Sequence, residues 1–246
     1  MQVTFPTKPH PTAVSAKYSL IDTNEVIANM KDLGYQVADA RYPNFRSKSG
    51  EYGFHMVDFR QPKHMKMKTG EAPRLVFLNS YNGTKRAQIH AGIIRFLCMN
   101  GLVSGDLVAS DKITHIGDAY FDLIERVKIA AVETEILMDR MTSLRGLVLS
   151  PVQIREYTRQ AVALKYEDPD IVDAAQFAMP RRFEDKGSDM WTIFNRVQEN
   201  LIKGGIPLLR ADGRRIVTQG IRNPQRDVQI NRDLWDLTEV FAAELV

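Results

Sequence analysis

The hydrophobic pattern of this chain changes from the period of strands to that of helices near its middle, and this change limits the folds open to it. In the first half, the segments 35–40, 52–60 and 74–79 are short, rich in aromatic and β-branched residues and bounded by turn residues, which is typical of strands. From Asp118 onward, apolar residues recur at helical spacing. The pattern predicts an α+β fold with an antiparallel meander sheet in the first half and helices in the second half.

Turn and cap signals place the other elements of the first half. Asn82-Gly83 is a strong signal for a tight hairpin turn, and it predicts that a fourth strand, 85–91, returns antiparallel to 74–79. The apolar run 93–103 favours one more buried strand. Ahead of the sheet, Asp22 followed by Glu25 resembles a capping box and predicts a helix over 22–33.

The second half carries repeated helix signals. The pattern over 118–144 predicts one long helix, about 40 Å in length at 1.5 Å per residue. Ser150, Pro151 and Gln153 supply an N-cap, a first-turn proline and a capping-box partner, and they predict a helix over 151–164. Further helices are predicted over 168–178, over 189–202 with Ser188 as its cap, and from Asn231 or Asp233 onward. Asp212-Gly213 predicts an arginine-rich hairpin over 208–218, near the C-terminus.

The domain organisation and the cellular compartment follow from simple features. Residues 1–17 hold three prolines and no apolar core of a signal peptide, so we interpret them as a flexible N-terminal arm. Residues 18–246 are predicted to form a single α+β domain, since no linker or internal repeat divides them. No apolar run approaches the roughly 18 residues of a membrane span. One cysteine, Cys98, excludes an intramolecular disulfide and favours the cytoplasm.

The sequence shows no catalytic or cofactor motif. Walker, G-x-S-x-G and G-x-G-x-x-G patterns are absent, and the five histidines lack the spacing of metal ligands. The carboxylates of the long helix interleave with Arg126, Lys128 and Arg140, as on a solvated face. We therefore expect no metal, no cofactor and no enzymatic activity. A metal-dependent nuclease is the enzymatic alternative that stays open.

Basic residues are concentrated near the C-terminus. Between Lys203 and Arg232 there are seven basic residues and two acidic ones, a formal charge of +5, and residues 1–110 carry +6. Such asymmetry favours an anionic partner, because arginine binds phosphate bidentately and also stacks on bases. In the alternative interpretation, Arg214, Arg215 and Arg222 pair with the acidic helices of 111–202. The candidate nucleic-acid-binding residues are Arg210, Arg214, Arg215, Arg222, Arg226, Lys85, Arg86, Tyr81, Lys63, Lys66 and Lys68.

Two motifs carry a resemblance to a known family. Residues 79–106 contain N-S-x-x-G and C-x-N-G-L, and residues 191–237 contain F-N-x-x-Q-E-N ahead of the arginines. The chain resembles, from about 18 to 237, the phage and plasmid-like proteins grouped as a domain of unknown function. The resemblance implies an origin in a mobile element and a bacterial host cytoplasm, with no stated biochemistry.

A weaker analogy concerns the order of elements. A helix, a strand meander and a long helix also form the core of phage single-strand annealing recombinases of the Redβ and Erf kind. This likeness implies a homo-oligomer that holds single-stranded DNA in a basic groove without a cofactor. The favoured hypothesis is therefore a phage- or plasmid-encoded protein that binds nucleic acid, with single-stranded DNA preferred, in recombination or replication. The alternative is a non-enzymatic protein that modulates a host defence or replication factor.

Overall fold

The computed structural model describes residues 5–41, 52–66, 70–95, 100–103, 119–166, 173–209 and 213–245. Within it the chain divides into two compact units, Met1–Leu137 and Met138–Val246. The division falls inside a long helix that begins in the first unit and ends in the second. That residues 18–246 form one domain stays a prediction.

The first unit is built on an antiparallel meander of five strands in chain order. The predicted α+β class, with the sheet first and helices after it, is confirmed. The elements of this unit are α1 (Thr23–Asp32), β1 (Gln36–Arg41), β2 (His55–Arg60), α2 (Pro62–Met65), β3 (Glu71–Asn79), β4 (Gln88–Arg95), β5 (Asn100–Val103) and the start of α3 (Ala119–Gly146).

One face of the sheet forms the core of the first unit. Val57, Phe59, Leu75 and Phe77 are fully buried there, in one cluster with side chains of α1 and of the first half of α3. The opposite face carries buried polar residues, because the register aligns Asp58 with Val76, and Val76 with His90. Alternation therefore separates an apolar face from a polar one, although both faces are buried.

The turn after β3 differs from the prediction. Leu78 pairs with Gln88, so residues 80–87 form an eight-residue connection instead of a two-residue hairpin turn. The fourth strand begins at Gln88 instead of Lys85 and continues to Arg95, while β5 is a separate strand. The physical reason is that Asn79, Ser80 and Tyr81 bond to the start of α1 and to their own loop, which takes the chain out of the ladder.

The N-terminal residues 5–17 contact the rest of the first unit. The Phe5 side chain is 3% exposed, and its backbone N–H and C=O both bond to the side-chain amide of Asn24, each at 3.1 Å. The backbone N–H of His10 donates to the Tyr81 carbonyl at 2.9 Å. The predicted N-terminal arm is thus anchored at Phe5 and at His10.

The second unit is helical around a buried central helix. Its elements are the end of α3, α4 (Pro151–Ala163), α5 (Met190–Lys203), β6 (Pro207–Leu209), β7 (Arg215–Val217) and α6 (Pro224–Ala243). Trp191, Phe194 and Leu201 of α5 are buried, as the helical pattern predicts. The predicted capping box of Ser150 and Gln153 is present at α4, and β6 pairs antiparallel with β7 as predicted.

Three helix boundaries in the second unit differ from their predictions. The last helix begins at Pro224, well before Asn231, because Asn223 accepts the Arg226 N–H and Pro224 suits a first helical turn. Asp189, not Ser188, caps α5 by accepting the Thr192 N–H at 3.0 Å. A 3₁₀ turn, Ala174–Ala178, occupies part of the predicted helix 168–178, whose first residues lie outside the described ranges.

Among the helices that the structure describes, none is both long and apolar enough to span a membrane.

Candidate nucleic-acid interface

The hairpin of β6 and β7 presents two of the predicted arginines to solvent. Arg214 and Arg215 are exposed, and Gly213 before them has a φ of +80°. Arg210 lies outside the described residues. Backbone bonds close the base of the hairpin, since Gly205 donates to the Thr218 carbonyl at 2.8 Å and Thr218 donates to the Ile206 carbonyl at 3.0 Å. The arginines therefore project from a small closed element.

Gly204 fixes the position of this hairpin after α5. Its φ is +62° and its ψ is −148°, a conformation that is essentially restricted to glycine. A Cβ built there would lie 2.6 Å from the Gln219 carbon, the Gly220 nitrogen and the Thr218 oxygen. The segment that follows β7 thus packs directly against the C-terminal end of α5.

Arg222 and Arg226 continue the basic surface beyond the hairpin. Arg222 is exposed in the segment between β7 and α6. Arg226, also exposed, lies on the first turn of α6 and donates to the Leu164 carbonyl at 3.2 Å. Within the described ranges, the side chains of Arg215 and Arg222 make no ion pair, so neither shows the pairing with acidic helices that the alternative interpretation requires.

Two further cations at this surface were not among the predicted residues. Lys165 donates to the Leu201 carbonyl at 2.6 Å and to the Gln219 carbonyl at 2.8 Å. Burial, together with the nearby charge of Arg226, lowers the pKa of Lys165 to about 8. Arg181 donates to Asn200 Oδ1 at 2.6 Å and to the Gly204 carbonyl. Both lie in irregular segments, where no periodicity marks them.

These two cations have a clear structural role, because carbonyls at the end of a helix attract positive charge. Lys165 joins the end of α4 to the end of α5 and to the residues after β7, and Arg181 joins its own segment to the end of α5. We call Lys165, Arg181, Arg214, Arg215, Arg222 and Arg226 the basic surface. The segments that carry its exposed arginines are therefore connected by hydrogen bonds.

The predicted residues of the first unit have different environments. Arg86, Lys63 and Lys66 are exposed, Lys85 is partly exposed, and Lys68 lies outside the described residues. Tyr81 is fully buried and accepts the Thr23 N–H at 2.7 Å. Burial raises the pKa of Tyr81. The prediction that Tyr81 contacts nucleic acid is wrong, because its ring has no surface on which a base could stack.

The N-S-x-x-G motif forms a buried polar network around His55. Asn79 donates to the Ile21 carbonyl at 2.8 Å and to Thr23 Oγ1 at 3.2 Å, and Thr23 Oγ1 lies 2.8 Å from His55 Nε2. His55 Nδ1 lies 3.0 Å from the Gly53 carbonyl, which identifies Nδ1 as the donor and Nε2 as the acceptor in a neutral ring. Burial lowers the pKa of His55 to about 4. The motif thus stabilises the fold.

A second buried polar group lies on the far face of the sheet. Arg60 and Arg74 both contact Asp58 Oδ2, at 2.9 and 3.2 Å, and all three side chains are buried. One carboxylate lies between two guanidinium groups, and removing it would leave two buried positive charges without a partner. These residues bind each other and form no surface for a ligand.

The F-N-x-x-Q-E-N motif lies on α5, where its polar side chains are buried as well. Arg196 donates to the carbonyls of Ala178, Asp185 and Gly187, and Asn200 donates to those of Phe177 and Met179. These bonds fasten residues 177–187, which we call the pinned loop, to the central helix.

Glu199 strengthens the same attachment. Its Oε1 accepts from Arg182 at 2.6 Å and from Lys203 at 2.8 Å. Burial raises the pKa of Glu199, but these two bonds outweigh burial and the pKa is lowered overall. The motif therefore has a structural role, because it holds the pinned loop against α5.

A cleft lies at the end of α3 in the second unit. Its volume is about 330 Å³, and it is lined by the end of α3 and by α6, with Arg140 and Glu239 as its charged residues. These two side chains approach each other at 3.9 Å. In the part of the chain that the structure describes, no group of three or more His, Cys, Asp or Glu residues is placed to hold a metal ion.

The fold and its surface define an α+β protein whose helical second unit carries exposed arginines on segments that are hydrogen-bonded to each other. The chain belongs to the family of the domain of unknown function DUF932, whose profile matches residues 11–235. It is 30% identical over 233 residues to the UPF0380 protein YfjQ of Escherichia coli K12, and 31% identical over 237 residues to the UPF0380 protein YafZ of the same organism. Each alignment covers 94% of this chain and 85% of the relative. No solved structure matches the chain.

Proposed function

We propose that this protein binds nucleic acid through the basic surface, with single-stranded DNA as its preferred ligand, in recombination or replication of a mobile element. The observation that carries the proposal is the exposure of Arg215 and Arg222, whose side chains form no ion pair with any described residue. Exposed guanidinium groups bind phosphates bidentately, and each contact releases counterions. The protein acts by holding its ligand, without a cofactor and without a chemical step, in the cytoplasm of a bacterial host.

The arrangement beneath the arginines supports a binding role. Lys165, Arg181 and Gly204 fix the hairpin base and the end of α5 relative to each other. A preorganised surface loses less conformational entropy on binding than a loose tail does. The backbone segments next to the arginines are consequently ordered before binding.

Titration of a fluorescent oligonucleotide at increasing salt tests this function. On single strands the log–log slope falls by about 0.7 for each phosphate contact. We expect the Arg215→Ala/Arg222→Ala double variant to reduce the slope by about 1.4 and to weaken binding about tenfold or more at low salt. The matched control is Arg155→Ala/Arg159→Ala, which removes the same charge from α4 and should bind like wild type. Failure of wild type to bind at low salt would contradict the proposal.

We further propose that two copies of the chain associate through α3. Ile129, Val132 and Ile136 are 49%, 62% and 42% exposed, and their spacing places them on one stripe of the helix. Lys128 and Glu135 flank this stripe on the same side, seven residues apart. In an antiparallel pair of stripes such positions face each other, so Lys128 of each copy meets Glu135 of the other. Charge complementarity thus favours a second copy as the occupant.

A further inference from the structure

Phe183 is an exposed aromatic side chain on a fastened segment. It begins the 3₁₀ turn Phe183–Asp185 within the pinned loop, and it is 76% exposed. The ammonium group of Lys186 lies 4.3 Å from the centroid of its ring. A single exposed apolar residue is ordinary by itself. Phe183 differs from other exposed apolar residues because its neighbours in the chain are bonded to α5.

The residues on both sides of Phe183 are fixed to α5. Arg182 donates to Asp185 at 3.0 Å and to Glu199 at 2.6 Å. Arg196, which is buried on α5, donates to the carbonyls of Asp185 and Gly187. The backbone that carries the ring is therefore ordered before any ligand arrives, and an ordered aromatic anchor binds with a small loss of entropy.

The pinned loop is also connected to the basic surface. Arg181, two residues before Phe183, donates to the Gly204 carbonyl at the base of the hairpin. Lys186 adds a positive charge directly at the ring. An aromatic face with cations beside it is the arrangement by which proteins bind single strands, because every base has a flat face that stacks and every nucleotide carries a phosphate.

We propose that Phe183 is a stacking site for an unpaired nucleotide base, with Lys186, whose ammonium group lies over the ring, for the phosphate backbone. This inference rests on the proposed function and narrows its ligand to single-stranded nucleic acid, because the bases of a duplex are stacked on each other and offer no free face. Phe183 is thus a binding residue for the base, whereas the exposed arginines bind phosphate.

The test compares a thymidine oligonucleotide with an abasic oligomer of the same length, which carries the phosphates without the bases. We expect Phe183→Ala to weaken binding of the thymidine oligonucleotide by roughly 5- to 150-fold, the range for one stacked base. Binding of the abasic oligomer should not change. Phe183→Leu, which stays apolar without an aromatic face, should weaken binding similarly, and Phe183→Trp should retain it.

The Phe183→Trp variant also reports stacking directly. The native Trp191 and Trp235 are only 3% and 4% exposed, so an added exposed indole has distinct, red-shifted emission. We expect the thymidine oligonucleotide to quench this emission and the abasic oligomer to leave it unchanged.

The outcomes separate the two proposals. If wild type binds the thymidine oligonucleotide, and Phe183→Ala binds it equally well with no quenching in Phe183→Trp, the stacking site is overturned while the proposed function stands. If wild type binds neither oligomer at low salt, both are overturned. Thermal unfolding of each variant checks that the fold is unchanged, as the exposure of Phe183 leads us to expect.

Discussion

Arg182 and Glu199 form an ion pair with an N–O distance of 2.6 Å that joins the pinned loop to the central helix of the second unit. The Glu199 side chain is 3% exposed and that of Arg182 is 22% exposed, so the carboxylate is the buried partner. Lys203 contacts the same oxygen at 2.8 Å. This carboxylate adds to the bonds by which Arg196 and Asn200 hold the loop that carries Phe183.

Glu199→Ala should therefore destabilise the second unit. The substitution removes the buried acceptor that Arg182 and Lys203 share, while Arg182 keeps its contact with Asp185, so we expect a loss of about 2 kcal/mol in the free energy of unfolding. Urea denaturation followed by tryptophan fluorescence measures it, since both tryptophans lie in this unit. Glu199→Gln, which keeps the shape and one acceptor, should lose less. Equal stabilities of wild type and Glu199→Ala would show that the ion pair does not hold the loop.

Gly204→Ala should displace the basic hairpin, whereas Gly205→Ala should not. Both glycines have positive φ, +62° and +79°, but only the Cβ at 204 meets backbone atoms, at 2.6 Å. We expect Gly205→Ala to lower the free energy of unfolding by about 1 kcal/mol, and Gly204→Ala to lower it by about 3 kcal/mol or more through the added clash. Thermal melts and oligonucleotide titration of both variants give the comparison. Similar losses in the two variants would argue against close packing at Gly204.

The first unit should lose stability in acid because of His55. Its folded pKa is about 4 and its ordinary value is 6.5, so the unfolded chain takes up the proton first. The contribution is complete above about pH 6.5 and is lost as the pH falls toward 4, by at most about 3 kcal/mol. Denaturation curves of wild type and His55→Gln across this interval measure the effect. The variant should show a flatter pH dependence, and parallel curves would contradict the assignment.

Alternation and capping were sufficient to predict much of the fold. The period of two predicted the first three strands within a few residues, because one face of each packs on the core. Trp191, Phe194 and Leu201 were predicted as the inward face of α5 for the same reason. The start of α6 was not predicted, because Asn223-Pro224 lies in the arginine-rich segment, where charge masked the cap and first-turn proline.

The candidate site was less predictable than the fold. Arg196, Glu199 and Asn200 have the sequence pattern of a solvated helix face, yet all three are buried and bond to the pinned loop. The sequence also did not indicate the burial of two aromatic residues: Tyr81 is fully buried, whereas Phe183 is 76% exposed. A short irregular segment has no period from which the burial of an aromatic residue can be predicted.

Incubation of the protein with magnesium or manganese should leave DNA intact. The proposed function needs no chemical step, and the carboxylates Asp58, Asp185 and Glu199 are each engaged by arginine. Single- and double-stranded substrates, analysed on denaturing gels with a chelator control, provide the measurement. Chelator-sensitive cleavage that co-purifies with the protein would favour the nuclease alternative over pure binding.

The oligomeric state tests the stripe on α3. If Ile129, Val132 and Ile136 pair with a second copy, light scattering after size exclusion should give twice the mass of one chain for wild type. Val132→Glu/Ile136→Glu places carboxylates inside the pair, and it should return the mass to that of one chain because burying unpaired charges is strongly unfavourable.

The matched control, Val148→Glu/Val152→Glu, alters two residues that are 75% and 65% exposed outside the stripe, and it should keep the doubled mass. Exchanging the flanking charges, Lys128→Glu with Glu135→Lys, preserves complementarity in an antiparallel pair and should also keep it. A wild-type mass of one chain would overturn self-association through α3 and would leave the basic surface of each copy to act alone.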